Sequence, residues 1–265
     1  MNIEHIISTM NRTEFSFLKN LCLETNTLVV NQNCPDGTYD FSLSDNVNVR
    51  TISTPEKGLS RSRNKLLQNA LGDVCIIGDD DVEYVDGYLD IISNAYEKYP
   101  DADIIVFCFT HEKGKETRVR YKEDIRMNMK NISKAASVEI TFKRKSIVDA
   151  GVSFNNNIGL GTSFPSGEEN AFLADALRAG LKIYHVPQTI CVAVEDKKIN
   201  NEYSVERYLA DKGASFYCIY KTAFPIYSLA FILLKKKSHF KNVSIIKAFF
   251  LMLKGKKQYK KSIKE

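Results

Sequence analysis

The chain has 265 residues, of which 44% are hydrophobic and 26% charged, and its net charge is +5. This composition can bury a core, and it excludes intrinsically disordered and collagen-like proteins. The charge is unevenly divided, because residues 212–265 hold thirteen lysines and one acidic residue, which leaves about −7 for residues 1–211. Such asymmetry indicates an acidic-site domain joined to a segment that meets an anionic surface.

Cysteine usage and the first residues indicate a cytoplasmic protein. The six cysteines form no Cys-x-x-Cys pair, and Cys75 and Cys108 lie inside apolar runs, so we interpret them as reduced core residues. Near the start, Glu4 and His5 stand where a signal peptide needs an unbroken apolar stretch. We therefore expect no export signal.

In the first half of the chain, short apolar runs alternate with helical patterns. Strands are predicted at residues 5–9, 27–30, 47–52, 74–78 and 102–109, with helices at residues 13–23, 58–71 and 87–99. This alternation is typical of stacked βαβ units, so we predict an α/β fold with a mixed, mostly parallel central sheet flanked by helices. Ligands of such sheets bind at the carboxyl ends of the strands.

The second half is predicted to complete the domain and to add a helical tail. A loop-rich connection at residues 111–135 precedes helices at 144–151 and 168–180 and strands near KIYHV and TICVAV. We predict a catalytic domain at residues 1–202, with halves at about 1–110 and 111–202. A basic amphipathic helical tail follows at 203–265.

Three consecutive carboxylates, Asp79, Asp80 and Asp81, leave the predicted sheet at its carboxyl edge. One interpretation is a solvated loop that happens to be acidic. The other is a divalent cation site, since Mg²⁺ and Mn²⁺ prefer oxygen ligands and commonly use one or two carboxylates together with substrate phosphates. A bound cation would cancel the repulsion within this turn.

Five segments together resemble the nucleotide-sugar glycosyltransferases of family 2, which have the GT-A fold. HIISTMNR looks like the opening strand of that family, VVNQN its second strand end, and EKGLSRSRN its Gly-x-x-x-x-Arg-Asn segment. DDDV is similar to the DxD-type metal motif, and GEEN is similar to the motif that supplies the catalytic base. The resemblance covers roughly residues 3 to 195, with the segments in matching order and spacing.

The resemblance implies a set of site residues. Asp79 and Asp80 would contact the nucleotide-sugar, and Asp81 would hold Mn²⁺ or Mg²⁺ on the diphosphate, with Asp79 and Asp80 beside it as further ligand candidates. The ion would stabilise the leaving diphosphate without proton transfer. The remaining donor-binding residues implied by the motifs are Thr9, Asn11, Arg12, Asn31, Gly58 and Arg63. Arg61 or Arg63 would place a cation near the phosphates; the alternative is a solvated helix face.

The predicted base is Glu169, with Glu168 as its neighbour and substitute. An inverting transfer needs a carboxylate near the acceptor hydroxyl. Ser166 and Glu169 also fit a capping box, in which Glu169 merely closes the helix. Two departures from the family pattern stand out: Glu169 replaces the usual Asp, and Asn31 replaces an acidic residue that faces the nucleotide base.

A further departure lies after the last predicted strand. Many relatives carry a histidine there, whereas this sequence has Glu195 and Asp196.

Two apolar runs of the tail, at residues 223–237 and 243–261, end in lysines. The first holds about a dozen apolar residues, well short of the ~20 that span a bilayer. We expect the tail to lie on an anionic membrane surface; the alternative is a helical pair packed on the domain with its lysines in water. The tail lacks arginine and exposed stacking platforms between its lysines, so we expect no nucleic acid partner.

The expected function is an inverting, metal-dependent transfer of a hexose from a UDP-sugar to a lipid-diphosphate-linked saccharide. The resemblance places it in O-antigen or capsule synthesis, peripheral on the inner face of a bacterial plasma membrane. Two alternatives stay open. One is a phosphohydrolase of the haloacid dehalogenase type, whose Asp-x-Asp motif also follows an apolar strand. The other is a membrane-bound scaffold with this fold but without turnover.

Overall fold

The computed structural model describes residues 1–111, 121–193 and 204–264. Its described strands form one twisted sheet in the order β3-β4-β2-β1-β5-β9-β7-β10-β6, with β8 paired to β10. The strands are β1 Ile3–Met10, β2 Thr27–Gln32, β3 Gly37–Ser44, β4 Val47–Thr54, β5 Val74–Asp79, β6 Val82–Tyr84, β7 Ile104–Thr110, β8 Ile125–Arg126, β9 Ile140–Lys143 and β10 Ile183–Ala193.

Parallel pairing dominates the sheet. Strands β4, β2, β1 and β5 are parallel neighbours, and β7 and β10 form a second parallel pair. The antiparallel strand β9 lies between β5 and β7 and joins the two groups. The prediction of a mixed, mostly parallel α/β sheet flanked by helices is therefore confirmed, and the carboxyl ends of β1, β2, β4 and β5 share one edge.

Helices cover both faces of this sheet because side chains alternate along each strand. On β5, Cys75 and Ile77 belong to one core cluster, and Val74 and Ile76 belong to the cluster on the opposite face. The helices are α1 Leu59–Asn69, α2 Tyr88–Lys98, α3 Arg144–Asp149, α4 Glu168–Arg178, α5 Val205–Tyr220, α6 Phe224–His239 and α7 Ile245–Ser262. Helix α2 packs with the second cluster, and helices α1, α3, α4 and α5 pack with the first.

Several local predictions are wrong. Residues 13–23 form no α-helix but a 3₁₀ turn, Ser16–Leu21, anchored by buried Leu18 and Leu21 and ended by Cys22 at φ 54°. Leu18 and Leu21 are three residues apart, so in a 3₁₀ helix, with its three residues per turn, they lie on the same side. Strands β3, β6, β8 and β9 were not predicted, and the two strands expected near KIYHV and TICVAV are a single strand, β10, with two irregularities in its pairing.

The helical tail packs on the sheet domain through α5. Ala214 and Cys218 belong to the same core cluster as strand β1 and helix α4. Helices α5 and α7 approach closely, since a Cβ on Gly213 would lie 2.0 Å from the carbonyl oxygen of Met252, and a Cβ on Gly255 would lie 1.7 Å from that of Ala210. The predicted boundary at residue 202 lies outside the described residues, so the division into domains stays a prediction.

One helical stretch, Val205–His239, contains an 18-residue window of mean hydropathy 1.4, long and apolar enough by composition to cross a membrane; 33% of that window is buried. The stretch is interrupted at Lys221, which has φ 46°. Its first part, ending with Cys218, Ile219 and Tyr220, is buried in the domain core. The 16 residues of α6 that remain would extend only about 24 Å, less than the ~30 Å of a hydrocarbon core.

Replacing Gly255 by alanine is expected to destabilise the protein although alanine favours helix formation. The added Cβ would collide with the Ala210 carbonyl and force α5 and α7 apart. We expect the free energy of unfolding to fall by about 1–3 kcal/mol, measured by denaturant titration. The matched control, Lys254→Ala on the exposed face of α7, is expected to stay within about 0.5 kcal/mol. Equal stability of the two variants would contradict the close approach.

Candidate functional site

The predicted site residues converge at the carboxyl edge because their strands are parallel neighbours. In the register of β1 with β2, Thr9 lies beside Asn31, and in the register of β1 with β5, Ser8 lies beside Asp79. The acidic turn, Asp79 to Asp81, therefore emerges next to the end of β1. This placement matches the general location of ligand sites in such sheets.

Asp80 is bound by residues from the end of β1. Its Oδ2 atom accepts a hydrogen bond of 2.5 Å from Thr9 Oγ1. The same atom forms an ion pair with Arg12 Nη2 at 2.9 Å. Arg12 Nε also donates to Thr9 Oγ1 at 3.2 Å. Both side chains of the ion pair are half-buried, so this group fixes one carboxylate of the turn while leaving it within reach of a ligand.

Asp79 is held by a buried cation. Arg63, on α1, is 1% exposed; its Nη2 donates to Asp79 Oδ1 at 3.0 Å and its Nη1 to Glu168 Oε1 at 3.0 Å. Ser137 Oγ donates to the other oxygen of Asp79, also at 3.0 Å. One guanidinium thus ties the acidic turn to the first residue of α4. Both terminal nitrogens of Arg63 face carboxylates, so its expected contact with the donor phosphates stays a prediction.

Asp81 is the exposed carboxylate of the turn, just before β6. The repulsion expected from three consecutive acids is thus offset at Asp79 by Arg63 and at Asp80 by Arg12.

Among the residues that the structure describes, no group of three or more His, Cys, Asp or Glu side chains is placed to hold a metal ion. Asp79 and Asp80 accept hydrogen bonds from arginines, and Asp81 is the most exposed of the three. This set fits an ion held jointly by a carboxylate and substrate phosphates, and it does not fit a metal centre built from protein ligands alone.

Glu169 lies in the first turn of α4. The residue that caps this helix is Gly167, at φ 97°, and no side chain caps it, so the capping-box alternative based on Ser166 is wrong. The Glu169 carboxylate is half-buried and accepts a hydrogen bond from the Asn170 side chain. Loss of hydration and the adjacent Glu168 charge raise the pKa of Glu169 above its ordinary value, against the opposing charges of Arg63 and Lys212.

Asn11 and Asn31 shape the loop after β1. Asn11 has φ 59° and accepts a hydrogen bond of 2.5 Å from Asn33. Asn31 is buried, accepts from the Arg12 backbone nitrogen at 3.1 Å and donates to the Arg12 carbonyl at 2.8 Å. Here Asn31 positions Arg12, and its expected contact with the nucleotide base stays a prediction.

Two polar residues at this edge were missed by sequence reasoning. Gln32, at the end of β2, accepts a hydrogen bond of 2.8 Å from the backbone nitrogen of Gly58, which has φ 125°. The sequence signal that could have identified Gln32 is its position next to Asn31 in the VVNQN segment. Ser137, which binds Asp79, precedes the unpredicted strand β9, so nothing in its local pattern pointed to the site. Glu195 and Asp196 lie outside the described residues.

The sequence model of the family described as "Glycosyl transferase family 2" matches residues 8–154, more than half of the chain. The chain belongs to glycosyl transferase family 2. The predicted membership is confirmed, and the phosphohydrolase alternative loses its basis. The matched range of this family 2 glycosyltransferase includes the acidic turn and Arg63, and it ends before Glu168. A search of curated proteins finds no match.

Solved structures of TarS from S. aureus are similar to this family 2 chain. The alignment with one TarS crystal structure covers 91% of this chain and 45% of the TarS chain, at 14% sequence identity and a TM-score of 0.60. It thus spans less than half of that protein. TarS 1-349 matches over 99% of this chain and 92% of that one, at 13% identity and a TM-score of 0.60. The complex of TarS 1-349 with UDP-GlcNAc matches at 14% identity over 91% of this chain and 74% of that one, with a TM-score of 0.59. At these identities the likeness confirms the GT-A fold.

Replacing Arg63 by methionine is expected to destabilise this glycosyltransferase strongly. It would leave Glu168, whose side chain is 8% exposed, and Asp79 without their cation. Removing one partner of a buried ion pair costs about 3–5 kcal/mol, so we expect the free energy of unfolding to fall by about that amount. Denaturant titration measures this change. Arg61→Met, two residues earlier on the exposed face, is the control and should change it by less than about 0.5 kcal/mol. Similar losses in both variants would exclude the network as a stabilising feature.

Proposed function

We propose that this protein is an inverting, metal-dependent glycosyltransferase that moves a hexose from a UDP-sugar to a lipid-diphosphate-linked saccharide. It would act on the cytoplasmic face of a bacterial plasma membrane, in the synthesis of a surface polysaccharide such as O-antigen or capsule. The observation that carries the proposal is the buried Arg63, which joins the acidic turn to the start of α4 at one edge of the sheet. This ion pair would hold the proposed metal-binding turn and the proposed base close together.

UDP as the nucleotide of the donor is supported by the similar structures. TarS 1-349 has been solved in complex with UDP-GlcNAc and with UDP. In the present chain the carboxyl edge of the sheet offers hydrogen-bonding groups from β1, β2 and the acidic turn. The donor would bind there, with Thr9, Arg12 and Asn31 shaping its pocket and Asp79 and Asp80 contacting it.

A divalent ion would be held by Asp81 and the donor diphosphate. Asp81 is the most exposed carboxylate of the turn, so an incoming ion can reach it from solvent. When bound, the ion supplies charge stabilisation to the departing diphosphate. Arg12, half-buried at the same turn, would add a fixed positive charge nearby.

Glu169 would accept the proton of the acceptor hydroxyl. Its position in the first turn of α4 follows from Gly167, whose left-handed backbone starts the helix, and from the ion pair of Glu168 with Arg63. Its raised pKa makes it a stronger base than an ordinary glutamate. Glu168, bound to Arg63, would instead keep the helix start in place.

Asp81→Ala is expected to remove metal-dependent transfer. Several kcal/mol of charge stabilisation correspond to a loss of about a hundredfold or more in rate, measured as UDP release from UDP-sugars with a lipid-diphosphate GlcNAc acceptor. Asp86→Ala, an exposed aspartate after β6, is the control and should keep the wild-type rate. Full activity of the wild type in EDTA would refute metal dependence. If no UDP-sugar gives UDP release, the protein is instead the non-catalytic scaffold.

The transfer rate is expected to rise with pH through the raised pKa of Glu169, because only its deprotonated form accepts a proton. Glu169→Gln should lower the rate by about 10²–10⁴ and abolish this rise, as seen in initial rates across a pH series. Glu97→Gln, an exposed glutamate on α2, should behave as the wild type. If Glu169→Gln keeps wild-type turnover, another group is the base.

Association with the membrane is supported by an apolar surface on the tail. Helix α6 buries Phe224, Ser228 and Ile232 against the protein, yet it is apolar on its outer side as well. We define the tail face by its exposed residues: Ile226, Leu229, Leu233, Leu234, Ile246 and Phe250. Exposed lysines flank these residues on both helices. A helical surface of apolar side chains bordered by lysines suits the interface of an anionic bilayer.

Charges on the tail face are expected to release the protein from membranes. Leu234 and Ile246 are 80% and 71% exposed, so Leu234→Glu with Ile246→Glu should leave the fold intact. We expect at least about tenfold weaker sedimentation with vesicles containing phosphatidylglycerol. Leu71→Glu with Val148→Glu, also exposed but outside the tail, is the matched control. Unchanged vesicle binding of the tail variant would contradict the proposed attachment.

A further inference from the structure

A polar cavity of about 250 Å³ lies between the start of α1, the loop before α4 and the end of α7, and its lining includes Gly58, one of the predicted donor residues. Its volume is below the ~300–1,000 Å³ that a drug-sized ligand occupies, so it does not suit a complete UDP-sugar. The residues that give it chemical character are Lys57, Arg61, Asn156, Asn157, Thr162 and Ser262.

The cavity is positively charged. Its lining includes the cations Lys57 and Arg61 and no acidic residue. Within the described ranges, neither cation forms an ion pair with a carboxylate, and both are exposed. In this they differ from Arg12 and Arg63, whose guanidinium groups bind the acidic turn. The lining also has amide and hydroxyl groups, together with Phe164 and two glycines, and its cations and polar groups suit an anion with several oxygen atoms.

The walls of the cavity are fixed by contacts between α1 and the loop. The backbone nitrogen of Leu59 donates to the carbonyl of Leu160 at 2.9 Å. Gly161, at φ 86°, lies so close to Gly58 that an added Cβ would be 3.0 Å from the Gly58 Cα. Asn64 ties α1 to the beginning of the loop through a hydrogen bond of 2.9 Å to Asn156. The two cations are therefore presented by a preformed frame.

The cavity adjoins the predicted base region. Ser60 is part of its lining, and a Cβ added to Gly159 would lie 2.9 Å from Ser60 Oγ and 3.2 Å from Glu168 Cγ. On its other side the cavity includes Ser262, at the end of the basic helix α7. The cavity thus lies between the start of α4 and the end of α7.

We propose that this cavity is a phosphate subsite for the acceptor, in which Lys57 and Arg61 bind the diphosphate that carries the acceptor sugar. The inference rests on the proposed function and deepens it by assigning the acceptor's phosphates to named residues. The donor diphosphate belongs at the acidic turn, where a metal ion would offset both sets of negative charges. The cavity has no carboxylate in its lining, so it binds phosphate through cations directly.

The test compares two probes on the full-length chain with UDP and Mn²⁺ present throughout. One probe is a short-chain alkyl GlcNAc-diphosphate, and the other is the same alkyl GlcNAc without phosphate. The expected result with Lys57→Ala and Arg61→Ala combined is at least about tenfold weaker binding of the diphosphate probe in calorimetry, since charged hydrogen bonds are lost. Binding of the phosphate-free probe should not change, and UDP binding, measured separately, shows whether Arg61 contacts the donor instead. The control is Lys122→Ala with Lys130→Ala, two exposed lysines outside the cavity.

Three results would overturn the proposal. They are equal affinity of the wild type for both probes, weaker UDP binding in the double variant, and competition by inorganic phosphate at the affinity of the diphosphate probe. The second would assign the cavity to the donor, and the third would make it a site for free anions. Failure of the proposed function looks different, because the wild type would then bind no UDP at all.

Discussion

The arrangement of the site depends on one buried guanidinium. Arg63 is 1% exposed and is shared by Asp79, at the end of β5, and Glu168, at the start of α4. Burying a cation costs several kcal/mol unless it is paired, and a buried carboxylate such as Glu168 would be unfavourable without its cation. The three charges therefore stabilise one another as a group, which fixes α1, β5 and α4 at the carboxyl edge.

The consequences of this group extend to the chemistry. Arg63 binds Asp79 and Arg12 binds Asp80, and Asp81 is the most exposed carboxylate of the turn. On α4, the fixed charge of Glu168 contributes to the raised pKa of Glu169. The tail supports the same helix start, since Ser215 on α5 donates to the carbonyl of Ser166 at 2.6 Å. This hydrogen bond connects the tail to the start of α4, next to the candidate site.

Much of the fold was predictable from the sequence, because buried parallel strands such as β1 and β5 are continuous apolar runs. The edge strand β3 was not, since its side chains are mostly exposed and carry little hydrophobic signal. Strand β9 was missed because ITFK is short and its antiparallel place between β5 and β7 depends on tertiary pairing.

The site was predictable as a set of motifs and not as a set of contacts. The order of Thr9, Arg63 and the acidic turn along the chain indicated which residues meet at the edge. Sequence patterns do not show that a particular arginine is buried, so the pairing of Arg63 with Glu168 was invisible. Likewise, Ser166 fits the local pattern of a cap, but the left-handed Gly167 takes that position.

The most direct test of the account is a crystal structure of the full chain with UDP and Mn²⁺. We predict a manganese ion bound by the Asp81 carboxylate and both phosphates of UDP, with Arg63 still paired to Asp79 and Glu168. A nucleotide bound away from the acidic turn, or Asp81 directed into solvent with the nucleotide present, would contradict the account.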